Sequence, residues 1–128
     1  MSVASDNEIR ELDASLAADG EWIELQRLTG TVLIPFKVTC RAFVRGYAAV
    51  DLIASIVQRQ RRVIMSPTQI IRAGWPGPNS SATPTNQDRR VPRKGDKVIV
   101  GGGACAVEEA GGINVDGELV RIEMRVLG

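Results

Sequence analysis

This 128-residue chain has few residues that could act in catalysis or bind a metal, and they do not form a known catalytic combination. There is no histidine, so the commonest general base and the commonest metal ligand are both absent. Cys40 and Cys105 have no histidine to help them form a thiolate, and we interpret both as small apolar strand residues. The sequence leaves open whether they form a disulfide. We therefore expect no catalytic residue, no metal site and no cofactor.

Two further motifs suggest a site but are better explained by structure. Glu108 and Glu109 are adjacent in a predicted strand, so their side chains should point to opposite faces and should not act on one substrate. Gly101-Gly102-Gly103 is not followed by the Lys-Ser or Lys-Thr of a phosphate-binding loop. A short β-segment follows it instead, which predicts a hairpin turn. Neither motif predicts an enzyme.

The net charge of +1 hides two blocks of opposite sign. Residues 1–24 contain seven acidic residues and one arginine, whereas residues 59–97 contain nine basic residues and two acidic ones. Such blocks are typical of surfaces that contact complementary surfaces, and solvated faces without a partner give the same pattern. The candidate residues for such an interface in these blocks are Glu8, Glu11, Asp13, Arg59, Arg61 and Arg62.

A polar stretch at 74–93 holds four of the six prolines and ends in a basic cluster. Its arginines suit the carboxylates of a protein partner or the phosphates of a nucleic acid, but it has no interleaved aromatic residues that would stack on bases. A tryptophan between Gly74 and Pro76 is typical of an anchor, packed on its own barrel or in a partner's pocket. The candidate channel or interface residues of this loop are Trp75, Arg89, Arg90, Arg93 and Lys94.

The first predicted element is a helix at 5–19. Ser5 and Glu8 have the spacing of a capping box, and Ile9, Leu12 and Leu16 form one apolar stripe. The permissive backbone of a glycine at position 20 ends the helix. Because the stripe is narrow, the helix must pack against its own barrel or against a neighbouring subunit.

After position 20 the hydrophobic period changes to two, which predicts strands at 21–28, 31–36, 38–45, 61–66, 97–100, 104–110 and 118–127. In the last strand Val120, Ile122, Met124 and Val126 share one face. Gly111-Gly112 is predicted as a turn. Five to seven short strands with glycine-rich turns favour a mainly β fold. We expect a small β-barrel or sandwich with an N-terminal helix and a long inserted loop.

The length predicts a single domain at 1–128. No apolar run reaches the roughly 20 residues of a membrane helix. The N-terminus also lacks the basic start and apolar core of a signal peptide. We therefore expect a soluble protein without a membrane partner.

The order of these segments resembles the small head–tail joining proteins of tailed bacteriophages, also called head-closure or stopper proteins. The resemblance covers residues 6–128. It lies in the order and spacing of DGEWIELQR (19–27), CRAFVRGY (40–47), QRQRRVIMSP (58–67), PRKGDKVIV (92–100) and VRIEMRVLG (120–128).

This resemblance implies a structural protein of the virion neck and not an enzyme. Members of the family are small β-barrels that form a ring, usually six-fold, which closes the DNA-filled head and receives the tail. Their inserted loop reaches towards the central channel and can help to gate DNA exit. The candidate for this inserted loop region is 47–93, between the barrel-core segments 21–46 and 94–128. The implied partners are other copies of the chain, the portal/adaptor ring, a tail-terminator or tail-tube protein, and packaged double-stranded DNA near the loop. The implied location is the virion, after synthesis in the host cytoplasm.

Two alternatives remain open from the sequence. One is a related phage adaptor or tail-terminator protein. The other is a free-standing β-barrel module that binds nucleic acid through the basic loop. The module predicts monomers with tight, salt-sensitive DNA binding, whereas the phage protein predicts oligomers with weak or no DNA binding.

Overall fold

The computed structural model describes residues 3–29, 34–46, 60–77 and 88–128. The strands close into an antiparallel barrel in the order β1-β2-β3-β6-β5-β4, in which β4 pairs back onto β1. The predicted mainly β fold with an N-terminal helix is confirmed, and it is a barrel and not a sandwich. The elements in chain order are α1 (Val3–Asp19), β1 (Glu21–Thr29), β2 (Ile34–Gly46), β3 (Gln60–Met65), α2 (Thr68–Arg72), β4 (Lys97–Val100), β5 (Gly103–Val115) and β6 (Glu118–Leu127).

Alternating apolar side chains fill the barrel interior. Ile23 and Leu25 of β1 are buried there. On β6, Ile122, Met124 and Val126 are buried in the same cluster, which confirms the predicted face for these three residues. Because full burial of an Ile, Leu, Met or Val side chain stabilises a fold by about 1.5–3 kcal/mol, this interior is the main source of stability.

The barrel wall includes β3, which lies within the region 47–93. That region was predicted as an insert outside the barrel core. β3 pairs with β2 on one side and with β6 on the other, and its residues Val63 and Met65 are fully buried in the interior. Without β3 the barrel would not close. The strand predicted at 61–66 is present as Gln60–Met65, but the boundary at 47–93 is wrong there, because a local alternating pattern shows a strand and not the sheet to which it belongs.

The two strands predicted at 31–36 and 38–45 form one strand, β2, in the described residues. Pro35 lies near its beginning, opposite Leu28 of β1. β3 pairs only with the later part of β2, from Ala42 onward, so this end of β2 has β1 as its sheet neighbour. A proline lacks a backbone N–H and is tolerated at such an edge, which is why it does not interrupt the strand.

Glycines at two places in the β4–β5–β6 region have different functions. Gly101 and Gly102 both have positive φ and form the predicted turn between β4 and β5. Gly111 and Gly112, also predicted as a turn, instead lie inside β5 and pair with β6. A Cβ on Gly112 would lie 2.6 Å from Leu119 Cδ1. Neither glycine of this second pair reverses the chain, and Gly112 marks a point of close packing.

Helix α1 lies across the outside of the barrel, where it contacts β2, β5 and β6. Leu16 is its buried apolar residue, at 1% exposure. Ser5 was predicted as the N-cap but lies inside the helix and is fully buried. Val120 was predicted to share the interior face, but it is buried outside the barrel beside Leu12. A register shift between β5 and β6 at Ile113 moves Val120 to the outer side.

The predicted end of α1 at Gly20 is confirmed. The Gly20 N–H donates to the Leu16 carbonyl at 2.9 Å, and a Cβ on Gly20 would lie 2.5 Å from that same oxygen. Arg41 of β2 donates to the carbonyls of Leu16 (3.1 Å), Ala17 (3.2 Å) and Gly20 (2.7 Å). Carbonyls in the last turn lack partners within the helix, and a cation is favourable there, so Arg41 caps α1 and attaches it to the barrel.

Candidate functional site

The candidate loop residues are organised by a buried ion pair between Arg27 of β1 and Asp96. Arg27 Nε donates to Asp96 Oδ1 at 2.9 Å and Arg27 Nη2 to Asp96 Oδ2 at 2.7 Å. Both side chains are 3% exposed. The same guanidinium donates to the carbonyls of Arg89 (3.0 Å) and Val91 (3.3 Å). Arg27 therefore fixes the segment 88–96 to the barrel by charge-assisted hydrogen bonds, which are stronger than neutral ones.

Trp75 packs against the guanidinium of Arg27. Its ring lies 4.9 Å from Arg27 Cζ and packs edge-on against Phe36 at 6.1 Å between centroids. Its Nε1 donates to the Arg90 carbonyl at 3.0 Å, and the side chain is 4% exposed. Of the two anchors that the sequence left open, the structure selects packing on its own barrel. Trp75 positions the loop and does not present a surface.

The basic residues of the loop have local partners. Arg89 Nη2 donates to the Gly77 carbonyl at 2.8 Å. Arg90 forms a bidentate pair with Asp88, with Nη2 2.7 Å from Oδ2. Arg93 donates its backbone N–H to Asp96 Oδ2 at 2.9 Å, and Lys94 is exposed. The arginine side chains at 89 and 90 therefore take part in the architecture of the loop.

The pair between Asp88 and Arg90 shifts the titration of both groups. Hydrogen bonds from the Arg90 side chain hold the pKa of the Asp88 carboxyl below its ordinary value. The same contact raises the pKa of the Arg90 guanidinium. The carboxylate therefore stays ionised, and the pair stays intact, to a lower pH than an isolated aspartate would allow.

The acidic candidates of α1 divide into two kinds. Glu8 and Glu11 are exposed on the helix. Asp13 faces inward, and its Oδ2 accepts a hydrogen bond from Thr68 Oγ1 at 2.7 Å, which joins α1 to the beginning of α2. Glu8 and Glu11 are thus available for a contact with another molecule, whereas Asp13 has an intramolecular function.

Two of the candidate arginines of the 59–62 run, Arg61 and Arg62, are neighbours on β3 and differ in exposure. Arg61 is half-buried, and Arg62 is exposed and forms an ion pair with Glu123 at 2.7 Å. In register, Arg62 lies directly between Arg45 of β2 and Arg125 of β6. Like charges directly opposite each other on neighbouring strands are destabilising, and the acidic side chains on β5 and β6 offset this repulsion. Arg59 lies outside the described residues.

Glu108 and Glu109 were predicted to point to opposite faces, and this is wrong. Glu108 Oε2 lies 3.4 Å from Arg125 Nε, and Glu109 Oε2 lies 3.1 Å from Arg125 Nη2. A register shift between Val107 and Glu109 breaks the alternation of β5. This bulge turns both carboxylates towards one arginine, so the pair balances charge on the outer wall.

Both cysteines lie inside the barrel as free thiols. Burial raises the pKa of the Cys40 thiol to about 12. A thiol with such a pKa forms almost no thiolate near neutral pH, and the thiolate is the nucleophile. The structure thus shows no disulfide between Cys40 and Cys105 and agrees with their interpretation as apolar strand residues.

A groove lies between α1 and the outer wall of the barrel, with a volume of about 450 Å³; we call it the α1 groove. Its floor is apolar, and Glu8 and Glu11 line its helix side. On β1, elsewhere on the barrel, Trp22 is 60% exposed and has Arg41 Cζ 5.2 Å from its ring centroid. The apolar residues that line the α1 groove are Leu12, Phe43, Ile64, Ile113, Val115 and Val120.

Neither Arg27 nor Arg41 was predicted from the sequence as a residue that holds elements together. A signal for Arg27 was present, because it follows Ile23 and Leu25 on the inward face of β1 and an arginine at such a position needs a buried anion. No comparable signal indicated Arg41, which lies on the outer face and acts through helix carbonyls. Its partners became visible only when α1 was placed on β2.

No protein-family model and no curated protein sequence matches this chain. Within the described ranges, no group of three or more His, Cys, Asp or Glu residues is placed to hold a metal ion. No helix in the same ranges is long and apolar enough to cross a membrane.

Proposed function

We propose that this chain is a structural protein of the phage neck, where it forms a ring that closes the DNA-filled head and connects the portal/adaptor ring to the tail. The observation that carries the proposal is the closed six-stranded barrel with an N-terminal helix across its outer wall. This is the kind of fold that the resemblance to head-closure proteins implies. The order of the sequence segments supplies the rest of the argument.

The use of the reactive groups supports a structural role. The Asp96 carboxylate forms an ion pair with Arg27, and the carboxylates of Glu108 and Glu109 contact Arg125. The Cys40 thiol is buried and its pKa is raised to about 12. The described groups with catalytic potential therefore hold the barrel and its loop together, which suits a part of an assembly.

The closed barrel determines how such a protein associates. Each described strand pairs with two neighbours along at least part of its length, so the barrel is closed. We expect subunits to meet mainly through side chains on its outer wall. The exposed acidic residues Glu8 and Glu11 of α1 are suited to such a contact with a basic surface.

The test of this proposal is assembly on the natural neighbours. We expect the purified chain to form a ring by itself, or to bind the portal–adaptor complex of its source virus with one ring per complex. Light scattering gives the mass of the chain alone, of the complex, and of the mixture, and negative-stain electron microscopy locates the added mass. A chain that remains monomeric and ignores the complex contradicts the proposal.

The nucleic-acid alternative is tested in the same preparation. The alternative rests on the basic loop, in which Arg89 and Arg90 already have local partners. Lys94→Glu changes an exposed loop lysine, and Lys37→Glu makes the same change on an exposed lysine of β2. We expect weak DNA binding that neither variant alters. Tight, salt-dependent DNA binding that only Lys94→Glu reduces would favour the nucleic-acid module.

A further inference from the structure

Among the aromatic side chains whose exposure the structure describes, Trp22 is the one that lies mostly in solvent. It is on the outer face of β1 and is 60% exposed. Arg41 lies over its ring, and three hydrogen bonds to α1 carbonyls hold that guanidinium in place. A rigid aromatic side chain beside a fixed cation is the typical composition of an interface hot spot, where Trp and Arg are enriched.

The α1 groove has the complementary composition. Its floor is apolar and includes Phe43 and Ile113, the second of which is 42% exposed. Its helix side carries the carboxylates of Glu8 and Glu11. At about 450 Å³ the groove lies within the range of pockets that bury small molecules, about 300–1,000 Å³, so it has room for an indole ring.

Trp22 does not occupy the α1 groove of its own chain. It lies on β1, is 60% exposed and is not among the residues that line the groove. The groove wall runs from Phe43 on β2, the neighbour of β1, across β3 and β6 to Ile113 on β5. Both surfaces are therefore open to a second copy of the chain.

We infer that Trp22 of one copy inserts into the α1 groove of the next copy, where Arg41 meets Glu8 and Glu11. This contact names the subunit interface of the ring proposed above, and it rests on that proposal. Two different surfaces meet, so the contact is heterologous and repeats from copy to copy in one direction. Apolar burial of the indole supplies most of the affinity, and the charges fix its orientation.

A mixing experiment tests this contact directly. Trp22→Ala removes the inserted side chain, and Ile113→Arg blocks the groove with a charge beside Arg121. Both altered residues are exposed, so we expect both variants to fold. We expect each variant to lose self-association by about 30-fold or more in dissociation constant. An equimolar mixture of the two should form a dimer and stop there, because it contains one intact insertion site and one intact groove.

Two matched variants control for surface hydrophobicity. Leu28→Ala removes another exposed apolar residue from the outer face of β1, and Ile71→Arg adds the same charge on α2. Leu28 is 51% exposed and Ile71 is 49% exposed, close to the values of the tested residues. We expect both controls to assemble as the unaltered chain does. Circular dichroism and thermal unfolding confirm that all four variants are folded.

Three results would overturn the inference. The first is an unaltered chain that stays monomeric up to about 1 mM, the weak end of specific association. The second is a Trp22→Ala chain that assembles normally. The third is a mixture of the two variants that does not dimerise. If Trp22→Ala still forms rings on the portal–adaptor complex, the neck function stands and only this interface is wrong. If the unaltered chain also ignores that complex, both proposals fail.

Discussion

Arg27 and Asp96, 69 positions apart in the sequence, form a bidentate ion pair in which both side chains are 3% exposed. The pair closes the barrel end where segment 88–96 returns to β1. The remaining donors of Arg27 serve the Arg89 and Val91 carbonyls, and its face covers Trp75. A single guanidinium thereby holds a strand, a loop and a tryptophan together.

Removal of one partner of this pair should be costly. Arg27→Met leaves the Asp96 carboxylate buried without its cation, and breaking such a pair costs about 3–5 kcal/mol of unfolding free energy. Urea unfolding measures this loss. Arg62→Met is the matched control, because it breaks the exposed pair with Glu123 and should cost about 0–1 kcal/mol. Equal losses in the two variants would show that the buried pair has no special role.

Alanine substitution should lower stability at Gly20, between α1 and β1, but not at Gly111 in β5. A Cβ on Gly20 would lie 2.5 Å from the Leu16 carbonyl oxygen and 3.0 Å from that of Ala42, whereas a Cβ on Gly111 meets nothing within 4 Å. Gly20→Ala must shift backbone atoms and should lower the midpoint of thermal unfolding. Gly111→Ala should leave it unchanged or raise it slightly. A Gly20→Ala chain as stable as the original would contradict the close approach.

The period-two pattern predicted the strands of the barrel, and its errors in assigning residues of β5 and β6 to a face have a common cause. It gave the inward residues Ile122, Met124 and Val126 of β6 correctly, because the strand is regular there. It failed for Val120 and for the pair Glu108 and Glu109, which lie at register shifts between β5 and β6. A bulge adds one residue to one strand, and nothing in a single strand's pattern shows which residue is added.

The site was less predictable than the fold because its contacts are distant in sequence. Arg27 was identifiable as an inward-facing arginine, but its partner Asp96 lies 69 positions later, within a basic segment. Trp75 was identifiable as an anchor, and only the barrel showed that its ring packs on Arg27 and Phe36. Local spacing indicates that such residues need partners, and the closure of the barrel determines which partners they find.

The two tryptophans should report different environments. Trp22 is 60% exposed and Trp75 is 4% exposed, and the chain has no other tryptophan. At dilutions where the chain is monomeric, acrylamide should quench the Trp75→Phe variant strongly and the Trp22→Phe variant weakly. The emission of Trp22→Phe should also lie at shorter wavelength, because Trp75 is shielded from water. Similar quenching in both variants would contradict the buried position of Trp75.

Burial of Cys40 predicts a loss of stability at alkaline pH. Its pKa rises from 9.0 to about 12 in the folded chain, so the folded state keeps its thiol proton while the unfolded state releases it. Stability from this group is complete below pH 9 and declines as the pH rises towards 12. Each pKa unit corresponds to about 1.4 kcal/mol, which gives a total on the order of 4 kcal/mol.

The slope of unfolding free energy against pH separates this effect from other alkaline titrations. Urea unfolding between pH 9 and 11 should show a smaller decline for Cys40→Ala than for the unaltered chain, whatever the variant loses at neutral pH through its changed packing. Parallel slopes for Cys40→Ala and the unaltered chain would mean that the thiol ionises in the folded barrel, and the interior at Cys40 would then admit water.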